Sequence, residues 1–538
     1  MKKITLWGFE KNPRLKSVPE GLYLVALALR HRGYKATIQL LPREFVDEVK
    51  ARLPRLKGVA AKDYHRLFPS LAVLWPQAAD PQVVFHGLQA YEGDLNYLAV
   101  LVSFLRAASE APLVAGGPLA TLAPRETLEM TGVDLVLRGE CEDSVVLLAD
   151  LLARLRVPRE RLAAYRQDLA GIPGIAFRES PEDYFVHPQV PFPHPVPYLP
   201  EEVDFWHETR RKAFPGAAAG ACTYHLTASR GCPRRCAFCS HANGRRHRRY
   251  RWEDITARLT ALQEGMARLQ ASGQVGRVCL NFGDDDFFYH REYAHRLLTF
   301  FRDQGLAQVC DIVVCGSIPS LVAQGRVDEE LLEAVALSGV ALLQLGTDAF
   351  CDEEIRHLKG GGYTTADIAA LVRSLERRQI RNHHFWILSG PGTTLRSLIR
   401  QLLQAYHFQV SYRYFFVLWP NFYVMPLLGS RLRQECDRPE QRDLLVEREI
   451  LSHGGGEQQR RFYARVLPRD RRAAAVLRLL EERLTPRMAG PVPYGFDFLA
   501  ALSLAREYLE EERRRQPDRE VEECLKWLSG RMEWEIPA

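Results

Sequence analysis

The sequence lacks any long uninterrupted apolar run. No stretch reaches the roughly 18 residues that a transmembrane helix needs, and the first residues lack the apolar core and small-residue cleavage site of a signal peptide. A charge excess is also lacking, because 72 Lys and Arg against 66 Asp and Glu leave a net charge of +6 over 538 residues. That small excess of positive charge does not indicate a nucleic-acid partner. These absences predict a cytoplasmic protein with no membrane span and no nucleic-acid partner.

The cysteine count is odd, at eleven, which excludes complete pairing within the chain. In a reducing compartment, such cysteines are better interpreted as thiols and metal ligands than as disulfides. The composition, with 46% hydrophobic and 26% charged residues, is that of a globular protein and excludes a disordered or fibrous one. A chain of this length is too long for one ordinary core, so two or three domains are expected.

The first 150 residues or so alternate short apolar runs with helical patterns, which is typical of a parallel sheet. Ile4–Phe9 reads as a strand and Glu20–Arg32 as a helix. Two further strand candidates end in Gly116-Gly117-Pro118 and Arg138-Gly139-Glu140. Glycines directly after strands let a ligand approach the carboxyl edge of such a sheet. Tight turns without a ligand would explain them equally well.

The same alternation returns between residues 223 and 420, after a segment with six prolines between Pro188 and Pro200 that reads as a linker. Six strand candidates predict a partial, open barrel with its reactive residues at the carboxyl ends of the strands. These candidates are Tyr224–Ser229, Val278–Phe282, Ile312–Cys315, Ala341–Leu345, His383–Leu388 and Tyr412–Leu418. The predicted organisation is a first domain at 1–175, the linker at 176–221, the barrel at 222–425 and a mostly helical domain at 426–538. We expect that last domain to cap the barrel mouth or to pack against the first domain.

Three cysteines, Cys232, Cys236 and Cys239, lie in one loop directly after the first barrel strand, with the spacing C-x3-C-x2-C. Thiolates select zinc or iron–sulfur clusters, and a structural zinc site needs four ligands. A zinc knuckle that borrows His241 or His247 is the alternative. Three thiolates on a four-iron cluster would leave one iron open, which is a catalytic arrangement.

This loop on a six-unit barrel resembles the radical S-adenosylmethionine (SAM) superfamily, whose members share this spacing with an aromatic residue before the last cysteine, here Phe238. The resemblance implies one [4Fe–4S] cluster and SAM as cofactors. It assigns to SAM binding the second-strand acids Asp284, Asp285 and Asp286, together with Ser317, Asp348, Ser389 and Gly390. Each feature also has a plainer interpretation, because the aspartates could cap helices and Gly390-Pro391-Gly392 could be a turn.

A basic run from Arg245 to Arg251 follows the cysteine loop. Such a run is usually a solvated face. In the context of the resemblance, Arg249 and Arg251 are the candidates to meet the carboxylate of SAM or an anionic substrate.

The first domain resembles the cobalamin-binding domain that precedes the barrel in the B12-dependent branch of this superfamily. The resemblance assigns to cobalamin the residues Gly116, Gly117, Pro118, Thr121, Gly139 and Glu140. Many cobalamin proteins supply a cobalt-binding His in a D-x-H-x-x-G loop after the first strand, but the loop Phe9–Val18 contains no His. A bound cobalamin is therefore expected to be base-off, without a His ligand from this loop. A degenerate domain that no longer binds cobalamin is the alternative.

The predicted fold class is thus α/β, with a Rossmann-like cobalamin-binding domain, a partial (β/α)6 TIM-like radical SAM barrel and a helical C-terminal domain. The resemblance implies a cobalamin-dependent radical SAM enzyme that methylates an unactivated carbon through a 5′-deoxyadenosyl radical and methylcobalamin. A radical SAM cyclase or rearrangement enzyme with a non-methylating or vestigial cobalamin domain is the alternative, and a non-catalytic cobalamin or metal sensor ranks last. The expected partners are a small-molecule or peptide substrate and an electron donor of the flavodoxin or ferredoxin type. The sequence does not name the substrate.

Overall fold

The computed structural model describes residues 2–10, 16–180, 183–188, 199–214, 222–418, 420–447, 450–451, 463–485 and 496–530. In chain order its strands are β1 (Lys3–Phe9), β2 (Lys35–Leu41), β3 (Val83–Gln89), β4 (Leu113–Gly116), β5 (Leu135–Leu137), β6 (Ile175–Arg178), β7 (Tyr184–Val186), β8 (Cys222–Leu226), β9 (Ser229–Arg230), β10 (Arg248–Arg249), β11 (Val278–Phe282), β12 (Cys310–Ser317), β13 (Val322–Ala323), β14 (Arg326–Val327), β15 (Val340–Asp348), β16 (Asn382–Trp386), β17 (Phe415–Phe416), β18 (Leu445–Glu447) and β19 (Tyr463–Val466).

Its α-helices are α1 (Glu20–His31), α2 (Arg43–Leu56), α3 (Trp75–Ala78), α4 (Leu95–Ala108), α5 (Pro118–Leu122), α6 (Pro124–Thr131), α7 (Glu142–Leu155), α8 (Arg166–Ala170), α9 (Glu202–Ala213), α10 (Trp252–Ala271), α11 (Arg291–Gln304), α12 (Glu329–Leu337), α13 (Asp352–Glu354), α14 (Thr365–Arg377), α15 (Leu395–Ser411), α16 (Arg431–Cys436), α17 (Arg471–Leu484), α18 (Phe498–Arg515) and α19 (Arg519–Leu528). A π-helical turn spans Ile355–Lys359. None of the described helices is long and apolar enough to cross a membrane.

The first sheet has the strand order β2-β1-β3-β4-β5-β6-β7. Its first five strands are parallel, and β6 and β7 add antiparallel edges. The order reverses between β1 and β3, and open α/β sheets bind ligands at such a switch point, outside the carboxyl ends of the strands. The predicted Rossmann-like domain is therefore confirmed.

The second sheet has six parallel strands in the order β17-β16-β15-β12-β11-β8. Each of these strands pairs with the one that precedes or follows it along the chain. The two edge strands, β8 and β17, do not pair with each other, so the barrel is open. This is the predicted partial barrel, and α10 buries Ile255, Leu259 and Leu262 against it.

Three details differ from the sequence-based expectation. The first barrel strand ends at Leu226 rather than Ser229, because Ser229-Arg230 turns away to pair with β10 in a separate ribbon. The sixth strand shrinks from Tyr412–Leu418 to the two residues of β17. Within the span predicted as a linker, β6, β7 and α9 are ordered elements, while residues 189–198, with four of its prolines, lie outside the described residues.

The C-terminal part is helical as predicted, apart from the short ribbon of β18 and β19. Helices α17, α18 and α19 all contact α15, on the outside of the barrel. The chain between the barrel and these helices reaches the first domain, where Leu428 N–H donates to Glu92 and Leu451 N–H donates to Asn96. The C-terminal part therefore packs against the first domain through this segment, as expected.

Candidate active site

The cysteine loop is held against the end of the first barrel strand by β9 and β10. Gly231 has φ +86°, and a Cβ there would collide with the carbonyl oxygen of Arg246, so only glycine fits this turn. The Cys232 N–H donates to Gly244 O at 3.2 Å, and Ala237 N–H donates to Leu358 O at 2.7 Å. These backbone bonds fix both ends of the loop.

Cys232, Cys236 and Cys239 are free, partly buried thiols. Burial raises the pKa of Cys232 to about 11, so a thiolate at this position needs a cationic partner such as iron. In the described part of the chain, no three His, Cys, Asp or Glu side chains lie close enough to hold a single metal ion. A four-iron cluster is larger than one ion, and its cysteine ligands are more widely spaced. The three cysteine sulfurs are therefore suitable ligands for the implied [4Fe–4S] cluster.

The three consecutive aspartates after β11 have separate surroundings. Asp284 is buried and accepts hydrogen bonds from Ala228 N–H at 3.0 Å and from the Ser229 hydroxyl, and burial raises the pKa of Asp284 to about 7. Asp286 is also buried and accepts from the Ser317 hydroxyl at 2.6 Å. The next helix begins only at Arg291, so none of the three is its N-cap.

Asp285 is the exposed member of this set and faces the cysteine loop. It accepts hydrogen bonds from Gly231 N–H at 2.8 Å and from the Asn243 side chain at 3.2 Å. Its neighbours Asp284 and Asp286 form their hydrogen bonds with Ser229 and Ser317 instead. Asp285 is therefore the second-strand carboxylate that is placed to meet a ligand beside the cysteines.

The carboxylate of Asp348, at the end of β15, forms an ion pair with Lys359 at 2.5 Å, and both side chains are nearly buried. Asp348 has φ +56°, an uncommon backbone conformation for a non-glycine residue. The ammonium group of Lys359 also lies 5.8 Å from the centre of the Phe238 ring. The fourth-strand motif is thus joined to the cysteine loop through a cation that the sequence did not point to.

The other predicted SAM residues are spread more widely. Ser389 is buried and donates to Phe422 O at 2.7 Å, and Gly390 N–H donates to the Thr393 hydroxyl. Arg249 is exposed over the ring of Tyr293. Arg251 is 76% exposed and pairs with Asp254. The described contacts of Arg249 and Arg251 are therefore with Tyr293 and Asp254, and their part in SAM binding stays a prediction.

A cavity of about 490 Å³ lies where the carboxyl edge of the first sheet meets the mouth of the barrel. All six residues assigned to cobalamin line it, namely Gly116, Gly117, Pro118, Thr121, Gly139 and Glu140. From the barrel side, His225, Thr227, Arg230, Asn243 and Gly283 complete the wall. One cavity therefore connects the predicted cobalamin loops with the strand ends next to the cysteine loop.

Two features of this cavity fit a large ligand that carries hydrogen-bond donors, as the carboxamides of cobalamin do. Gly117 has φ +103°, and a Cβ there would lie 3.1 Å from Ala90 O, so a side chain is disfavoured where a ligand must come close. Glu142 is 5% exposed, and its Oε2 has no hydrogen-bond partner among the residues that the structure describes. A buried acceptor without a partner is costly, so a donor on a bound ligand would stabilise it.

Sequence reasoning missed a network of charges that joins the two domains. Arg230, directly before Gly231 and Cys232, is 8% exposed and pairs with Glu142 at 2.7 Å and with Glu140 at 3.3 Å. Arg248, its partner in the β9–β10 ribbon, also pairs with Glu140. The predicted cobalamin loop is therefore tied to the residue that precedes the first cysteine of the cluster motif. The two partners are about 90 positions apart, so no local signal could have found the network.

Glu20 is a second group that sequence reasoning missed. It begins α1, lines the cavity and accepts a hydrogen bond from the Thr227 hydroxyl on the barrel. Burial raises the pKa of the Glu20 carboxyl. A Cβ on Gly283 would lie 2.7 Å from the Glu20 carboxylate, so Gly283 makes room for this carboxyl at the end of β11.

Comparison with known proteins agrees with this geometry. Residues 226–402 match the family model described as the radical SAM superfamily. The chain is 24% identical over 315 residues to an uncharacterized methyltransferase from Pyrococcus horikoshii, which covers 57% of this chain and 60% of that protein. Among solved structures, the methyltransferase TsrM from Kitasatospora setae, with cobalamin and a [4Fe–4S] cluster bound, is 15% identical with a TM-score of 0.60, over 99% of this chain and 100% of that one. The cobalamin-dependent enzyme OxsB is 14% identical with a TM-score of 0.65, over 100% of this chain and 76% of that one.

Residues 226–402, which include most of the barrel, are a radical SAM domain, for which a [4Fe–4S] cluster and SAM are the implied cofactors. The overall fold of the chain is that of the cobalamin-dependent radical SAM enzymes TsrM and OxsB. The curated relative is matched over about three fifths of its own length.

Proposed function

We propose that this protein is a cobalamin-dependent radical SAM methyltransferase that methylates an unactivated carbon of a small-molecule or peptide substrate. The single observation that carries the proposal is the cavity shared by the two domains, lined on one side by the cobalamin-type loops and on the other by the barrel strand ends. The name of the Pyrococcus horikoshii relative and the fold shared with TsrM support methyl transfer over rearrangement.

The role proposed for each residue follows from its position in the structure. Cys232, Cys236 and Cys239 would hold the cluster, and Asp285 would hold the methionine ammonium of SAM beside it. When bound, the cluster and the cobalamin supply reductive SAM cleavage and the methyl group. The cavity between the two domains would bring the cobalamin and the substrate next to the cysteine loop, which orients the reacting atoms. The ion pair between Arg230 and Glu142 would hold the first domain and the barrel together.

We predict that the cobalt has no histidine ligand on its lower face. The loop Phe9–Val18 contains no His, and its residues 11–15 lie outside the described part of the structure. Among described residues, His225 is the one histidine that lines the cavity, and it stands on the barrel side. Protein reconstituted without oxygen should take up about one cobalamin per chain, and electron spin resonance of its Co(II) form should show no nitrogen hyperfine splitting.

Three-line nitrogen splitting would contradict the base-off, His-free state, because it would show a nitrogen ligand from either a histidine or the dimethylbenzimidazole base of the cobalamin. His225→Ala would then show whether this histidine is the source, because the splitting should disappear in that variant only. Failure to take up cobalamin in protein that carries a full cluster would favour the rearrangement alternative.

A further inference from the structure

Three exposed arginines surround the outer side of the cysteine loop. Arg235 lies between Cys232 and Cys236 in the sequence, and Arg245 and Arg246 follow Gly244. The backbone contacts of Gly244 with Cys232 and of Arg246 with Gly231 place the second pair against the start of the loop. We call Arg235, Arg245 and Arg246 the arginine rim.

The rim carries positive charge that the described part of the protein does not neutralise. None of its three guanidinium groups forms an ion pair with a described residue, whereas the neighbouring Arg248 is bound to Glu140 and Arg234 to Asp286. The nearest acid, Asp285, accepts its bonds from the loop itself. Exposed, unpaired charges of one sign create a field that attracts an oppositely charged partner.

The arginine rim lies at a position that is suitable for docking of an electron carrier. The other eight cysteines show no second cluster spacing, so each electron for the cluster has to arrive from outside the chain. Because Arg235 adjoins Cys236 in the sequence and the backbones of Gly244 and Arg246 lie against the start of the cysteine loop, a protein that docks on the rim comes close to the cluster.

We infer that the arginine rim is the docking surface for an acidic one-electron carrier protein of the flavodoxin or ferredoxin class. In the transfer step the reduced carrier loses one electron and the cluster gains it, with no bond made or broken. The inference rests on the proposed function, since it requires the cluster to be present.

The test compares two triple variants with the same change of net charge. Arg235→Gln, Arg245→Gln and Arg246→Gln remove the rim. Arg161→Gln, Arg166→Gln and Arg483→Gln remove three exposed arginines that also lack ion pairs with described residues but belong to the first domain and α17. Anaerobic stopped-flow absorbance measures the second-order rate constant for cluster reduction by photoreduced flavodoxin.

Loss of the rim should lower this rate constant about tenfold at low ionic strength, as removal of electrostatic steering does. The difference should shrink at about 0.5 M salt because exposed charges are then screened. The control triple variant should behave like the wild type, and direct photoreduction by deazaflavin should be equal in all three proteins. Iron and sulfide analysis shows whether each of the three proteins carries its cluster. If the wild type assembles no cluster, that result contradicts the proposed function rather than the docking surface.

An unchanged rate in the rim variant, or an equal loss in the control, would overturn the inference. So would a rim variant that loses affinity for transfer RNA in a filter-binding assay while its reduction by flavodoxin stays normal, because the rim would then serve a nucleic acid.

Discussion

Replacing Cys232, Cys236 and Cys239 together with Ala should abolish the iron–sulfur spectrum of the anaerobically reconstituted protein. The wild type should carry about four irons per chain, and the triple variant close to none, since thiolates are the protein ligands of such clusters. The effect should be all-or-none because the three cysteines form the one loop with this ligand spacing. Iron and sulfide analysis, with the visible absorbance of the cluster, measures it.

A matched control uses three other partly buried cysteines, Cys141, Cys279 and Cys315. Their replacement by Ala should leave about four irons per chain. Circular dichroism shows whether each variant is folded. A folded Cys232, Cys236 and Cys239 variant that keeps its full iron content would refute the assignment of the cluster ligands.

Replacing Asp285 with Asn should weaken SAM binding about 100-fold. Bound SAM would cover the exposed Asp285 carboxylate, and losing one partner of a desolvated ion pair typically costs about 2–5 kcal/mol, where tenfold in affinity corresponds to about 1.4 kcal/mol. Asn keeps an oxygen that can still accept the 2.8 Å bond from Gly231 N–H, so the cysteine loop should stay in place. Calorimetric titration of the anaerobic, cluster-loaded protein with SAM measures the change.

Methylthioadenosine, which lacks the methionine ammonium and carboxylate, provides the ligand control. It should bind equally to the wild type and to the Asp285→Asn variant, so the loss is assigned to the amino acid end of SAM. Equal SAM affinity in both proteins would show that Asp285 acts only as a brace of the cysteine loop.

The structure changes what is expected of the other aspartates. Asp284 and Asp286 are buried in hydrogen bonds to Ser229 and Ser317, so replacing them acts on folding rather than on ligand affinity alone. The ion pair of Asp348 with Lys359 makes its replacement costly as well, because a buried ammonium group would lose its partner.

The elements that the sequence predicted well are those with a strong local pattern. Val278–Phe282 is a strand with the predicted bounds, and the helix predicted at Glu20–Arg32 is α1, Glu20–His31. The glycines after β4 and β5 were placed correctly at a cavity because parallel strands bring their carboxyl ends to one edge. Such features depend on neighbours in the sequence and on general rules of sheet topology.

The elements that the sequence could not predict depend on distant partners. The first barrel strand stops early because the Asp284 carboxylate, more than fifty residues away, takes the backbone N–H of Ala228. In the same way, Lys359 belongs to the site only because a π-helical turn aims it at Asp348. Lys359 carries no motif of its own, and no local pattern links Asp284 to Ala228, so the folded chain is needed to identify both contacts.

The central claim is that one chain combines SAM cleavage with methyl transfer through a cobalamin held between its domains. The most direct measurement incubates the reconstituted protein, with and without cobalamin, with SAM and a low-potential reductant under anaerobic conditions, and quantifies both SAM-derived products by mass spectrometry. Cleavage alone yields 5′-deoxyadenosine and methionine, which keeps the methyl group, whereas loss of the methyl group yields S-adenosylhomocysteine. We predict both 5′-deoxyadenosine and S-adenosylhomocysteine in the cobalamin-loaded protein, with S-adenosylhomocysteine absent when cobalamin is omitted. Formation of 5′-deoxyadenosine with no S-adenosylhomocysteine in the cobalamin-loaded protein would contradict the methyltransferase assignment.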